Sequence, residues 1–69
     1  MAHKIIDIST KGSEKGEFFI DSFMDIHDTE KQANVAGEVV GKVIVDSFGF
    51  GCSIDEYRQR ALEAWRGAF

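Results

Sequence analysis

Proline is absent from this sequence of 69 residues, and cysteine, tryptophan and tyrosine each occur once. A single cysteine closes no internal disulfide, and no grouping of Cys and His has the spacing of a structural zinc site. Two staples on which many small domains rely are thereby excluded. No apolar run approaches the roughly 20 residues of a membrane-spanning helix, and residues 1–10 lack the apolar segment of a secretory leader. Basic residues are few, 8 against 12 acidic, for a formal net charge of -4. The Lys and Arg are scattered, so no clustered basic surface is on offer to a nucleic-acid backbone or an anionic lipid. A cytoplasmic protein with no membrane contact, no direct nucleic-acid binding and no cofactor is the expectation.

What is present suits folding. The chain is 43% hydrophobic and 29% charged, with six of its aromatics Phe, a globular composition with bulk for one small core. A domain of this length buries only about 60% of the surface its unfolded chain exposes. Without disulfide or zinc, association with another chain is the remaining source of stability.

Residues 4–8 carry Ile5, Ile6 and Ile8 and read as a short strand, followed by a polar stretch with Gly12 and Gly16. Residues 17–27 read as a longer strand, and the two together predict an antiparallel hairpin over 3–27. Alternation places Phe18, Ile20, Ser22, Met24 and Ile26 on one face of that second strand. The other face carries Glu17, Phe19, Asp21, Phe23, Asp25 and His27, where large aromatics stand among carboxylates. Ile5 belongs with this mixed face. Either helices or twist bury it, or it meets another chain.

Thr29-Glu30-Lys31-Gln32 has the form of a capping box, and the apolar residues that follow recur at helical spacing, which predicts a helix over 29–48. Gly37, Gly41 and the valines weaken it. The competing reading stops the helix near Gly37 or Gly41 and makes 42–48 a third strand; helix is preferred. Ser53-Ile54-Asp55-Glu56 is a second capping box, opening an amphipathic helix over 53–67 whose apolar side holds Tyr57, Ala61, Leu62, Ala64 and Trp65. The fold class is therefore α+β, an N-terminal hairpin followed by two helices (ββαα) in one domain spanning 1–69. The expected core is Ile6, Ile8, Phe18, Ile20, Met24, Ile26, Val40, Ile44, Phe48, Tyr57, Leu62 and Trp65.

Several residues invite a chemical reading. Ala33, Gly37 and Gly41, four apart, form a smooth helical stripe suited to close packing or to a dimer contact, and Phe69 adds an aromatic end to the chain. Asp25, His27 and Asp28 supply the group types that metals and acid-base chemistry use, at a spacing matching no ligand signature. His3 could join the terminal amine on copper or nickel, as any third-position His can. Cys52 reads as a small buried hydrophobe, and Gly49 and Gly51 lack the Lys of a phosphate loop.

No metal ligand or catalytic residue is assigned, and an enzyme is not expected. The leading expectation is a small acidic regulator or inhibitor, of the phage or mobile-element type by analogy, that binds another protein. Its binding face would be Ile5, Phe19, Asp21, Phe23 and Asp25, and it would pair as a homodimer. The alternatives are an acidic mimic of nucleic acid that occupies a basic groove, and a small metal-binding protein or enzyme built on Asp25, His27 and Asp28.

Overall fold

The computed structural model describes residues 4–11, 14–46 and 53–68. In chain order the elements are β1 (Lys4–Asp7), β2 (Lys15–Asp21), β3 (Ile26–His27), α1 (Glu30–Ala36), β4 (Val39–Asp46) and α2 (Ile54–Gly67). Among these residues one four-stranded sheet in the order β1-β4-β2-β3 carries two helices. The α+β class stands, but the arrangement is not a hairpin followed by two helices.

The difference originates in residues 37–48. The expected long helix ends at Gly37, whose N–H closes the last turn by donating to the Ala33 carbonyl. Five of the following residues are Val or Ile, among Gly41 and Lys42, and this run extends as β4. Branching at Cβ restricts side-chain rotamers in a helix and fits the pleated surface of a sheet, so the weak helix gives way. β4 then enters the middle of the sheet, as the most apolar strand should, and lies between the two strands expected to form a hairpin. It runs parallel to β1, with Lys4 opposite Gly41 and Asp7 opposite Ile44, and antiparallel to β2, with Phe18 opposite Val43. The strand expected over 17–27 is likewise divided: β2 stops at Asp21 and a turn leads to β3, which pairs back through Ile20 and Phe19.

α2 covers one sheet face. Its capping box is realised, the Ser53 hydroxyl accepting from the Glu56 N–H, and Tyr57, Ala61 and Trp65, one helical turn apart, are buried against Phe18, Ile20, Val43 and Val45. Ile6, Ile8, Ile26 and Val40 close the edges of this core, while Val43, Val45 and Ala61, absent from the expected core, are fully buried. Met24, Ile44 and Leu62 lie outside it, and Phe48 falls outside the described residues.

Gly41 makes the packing possible. A Cβ at this position would stand 2.0 Å from the Trp65 ring and 2.8 Å from the Lys4 carbonyl, so ring and backbone are in direct contact. At its far end α2 is held by Lys4, whose ammonium donates to the Ala68 carbonyl at 2.9 Å. At its start Arg58 forks onto both oxygens of Asp28 and also reaches Asp55. No helix among the described residues is long and apolar enough to cross a membrane.

Gly41→Ala should destabilise the fold by about 1–3 kcal/mol, since neither the ring nor the β1 backbone can yield without repacking. Gly67→Ala, where an added Cβ meets nothing within 4 Å, should be neutral or stabilising by up to about 1 kcal/mol. Paired urea titrations check both.

Candidate functional site

The expected binding residues are divided between two structures. Asp21, read as part of an exposed face, is fully buried. Its side chain closes the β2–β3 turn: one carboxylate oxygen accepts the N–H groups of Phe23 at 2.8 Å and Asp25 at 3.0 Å, and the other stands 2.6 Å from His27 Nε2. The backbone repeats the closure, Asp21 N–H donating to the Asp25 carbonyl and Met24 N–H to the Asp21 carbonyl, both at 3.0 Å. An aspartate at the start of a turn satisfies nearby backbone donors in this way by its own short reach.

Burial alone would raise the Asp21 pKa. The hydrogen bonds from His27 and from the Asp25 and Phe23 backbone, with the charge available on His27, outweigh it and hold the carboxyl below its ordinary value. Asp7 is also held low, chiefly by the Ser9 hydroxyl and N–H.

Phe23 and Asp25 therefore belong to the turn, with Phe23 72% exposed beside Gly37. Phe19 and Ile5 are on the sheet face opposite α2. There they line a depression of about 120 Å³ with Val39, Lys42 and Glu30. A β-bulge makes this lining: Ile20 stands opposite Gly41 but Asp21 opposite Val39, so β4 carries one extra residue. The slip brings Val39 beside Phe19 and sends Val40 to the α2 side. α1, packed on β2 and β3, covers one end of the face through buried Ala33. The remainder is left open, with Ile5 60% exposed. Two ion pairs cross it, Glu17 with Lys42 at 3.3 Å and Asp7 with Lys15 at 3.7 Å.

The small-residue stripe is dispersed. Ala33 lies on α1, Gly37 ends that helix, and Gly41 lies under Trp65 in β4. Asp28 is engaged by Arg58 and His27 by Asp21, so Asp25, His27 and Asp28 form no joint site. Among the described residues no group of three or more His, Cys, Asp or Glu is placed to hold a metal ion. His3, Gly49, Gly51, Cys52 and Phe69 lie outside the described residues. Glu30, Val39 and Lys42 are the lining residues that sequence reasoning missed, and the β-branched run around Lys42 was the available signal. Comparison with protein-family models, curated proteins and solved structures finds no match for this chain.

Asp21→Ala would strip the Phe23 and Asp25 N–H groups of their acceptor and should lower the melting temperature clearly more than Asp21→Asn, whose amide oxygen can keep both bonds. With a folded pKa below the unfolded value of about 3.9, Asp21 contributes stability that is complete above that pH and lost as pH falls through the folded value. Melting curves from pH 7 to pH 2 should show this acid loss in the native chain and a shallower one in Asp21→Asn.

Proposed function

We propose that this chain is a small acidic regulatory or inhibitory protein that acts by binding another protein with the part of its sheet face that α1 leaves open. One observation carries the reading: Ile5, Phe19 and Val39 form an apolar floor, with Lys42 and Glu30 at its margin, and no element of the chain covers its Ile5 end among the described residues. An apolar centre within a charged rim is the arrangement in which a few anchoring side chains supply most of the binding energy. The fully buried Phe18 and Ile20 alternate with Phe19 in β2 and already serve the core on the other face. Phe19 stands half-buried on the opposite face, where a partner can reach it.

A homodimer is compatible with this use of the face. Among the described residues β1 is an edge strand with β4 as its one neighbour in the sheet, and a two-fold axis along it would join two sheets edge to edge. The resemblance in size and acidity to inhibitors carried by phage and mobile elements is an analogy of class. Cytoplasmic action belongs to the same proposal.

Ile5→Glu should change folding stability by no more than about 0.5 kcal/mol, as exposed substitutions do, and should weaken partner capture at least about tenfold, roughly 1.4 kcal/mol. Captures from the native host by the native chain, Ile5→Glu and the surface control Arg66→Glu are compared by mass spectrometry. A protein retained by the native and control chains but lost from Ile5→Glu supports the open face; retention by all three overturns it. Phe23→Ala tests whether the turn extends the surface, and light scattering over a range of concentrations decides the dimer.

A further inference from the structure

Met24 is the non-glycine residue with a left-handed backbone among the described residues, at φ 67°. That conformation is strained for an L-residue, and glycine would adopt it without strain. The backbone is held there by the Met24 N–H bond to the Asp21 carbonyl. The side chain gives the position its purpose: its sulfur accepts a hydrogen bond from Trp65 Nε1 at 3.3 Å, spanning from the β2–β3 turn to α2. Trp65 is 2% exposed and Met24 53%, so the thioether stands where the core meets solvent.

We infer that Met24 is a site of reversible oxidation by hydrogen peroxide, and that its sulfoxide releases the β2–β3 turn from Trp65. The sulfur uses one lone pair toward the indole N–H and retains a second. That pair attacks a peroxide oxygen: an S–O bond forms, the O–O bond breaks, sulfur gives up two electrons, and the proton of the transferred hydroxyl passes to the leaving hydroxide to yield water. The oxidised sulfur no longer accepts the indole N–H. For the new oxygen to do so, the sulfur would have to draw back along its flexible side chain and give up its place against the indole. Either outcome ends the direct contact of the sulfur with the indole N–H that joins this turn to α2. The inference is independent of what the open sheet face binds.

The test treats the full chain with hydrogen peroxide, locates sulfoxide by peptide mass mapping that separates Met24 from Met1, and follows emission from the sole tryptophan together with thermal melting. Expected are one added oxygen at Met24, a red shift of Trp65 emission and a fall in melting temperature of at least about 4 °C. Methionine sulfoxide reductase should reverse all three, and Met24→Leu should show no shift under peroxide. Sulfoxide at Met24 with unchanged emission and melting would overturn the inference. So would an absence of Met24 sulfoxide, or an equal response in Met24→Leu, which would assign the effect elsewhere. Reversal by the reductase keeps the test decisive even where Met24→Leu folds poorly.

Discussion

The close contact between the Trp65 ring and the backbone at Gly41 is the constraint around which the rest of this small protein is arranged. It fixes how closely α2 approaches the sheet. It also requires a residue without a side chain in the central strand, beneath the one tryptophan. The β1 carbonyl at Lys4 lies beside the same point, so helix, central strand and edge strand meet there. With one short layer of helix on each sheet face, a chain of this length has little apolar surface to spare. Close approach at one point then matters more than it would in a larger domain.

What could be read from the sequence was local. Both helix starts follow from a side-chain oxygen placed to accept a backbone N–H three residues on, and both are formed, by Thr29 toward Gln32 and by Ser53 toward Glu56. The apolar stripe of α2 is equally local, because its period belongs to the helix itself. The pairing of strands is not. A hairpin between β1 and β2 was the simplest inference from adjacency, and it yields to β4 because a strand apolar on both sides gains most from the centre of a sheet. That preference depends on residues far along the chain. The run from Val39 to Val45 satisfies a helical spacing and a strand alternation at once, and only its tertiary place decides between them.

The candidate surface was half legible. Ile5 and Phe19 were chosen because apolar side chains stood where alternation put carboxylates, and both do line the open face. Asp21 obeyed the same alternation on paper, yet the strand ends with it and its carboxylate turns to the backbone of the following turn. A bulge opposite it exchanges the faces of Val39 and Val40. One inserted residue in a strand changes which side chains meet, and nothing in the local composition announces it.

The parallel pairing of β1 with β4 bears on the order in which the molecule can be assembled. Among the described strands β1 is the earliest, yet its neighbour in the sheet is the last. During synthesis β2 and β3 can pair as soon as the turn at Asp21 closes, whereas β1 has no neighbour until Gly41 to Ile44 have followed. Its docking closes the longest loop in the sheet, which makes it the entropically slowest of the pairings. Until then the isoleucines of β1 travel unpaired, and the speed with which β4 is delivered sets how long they remain so.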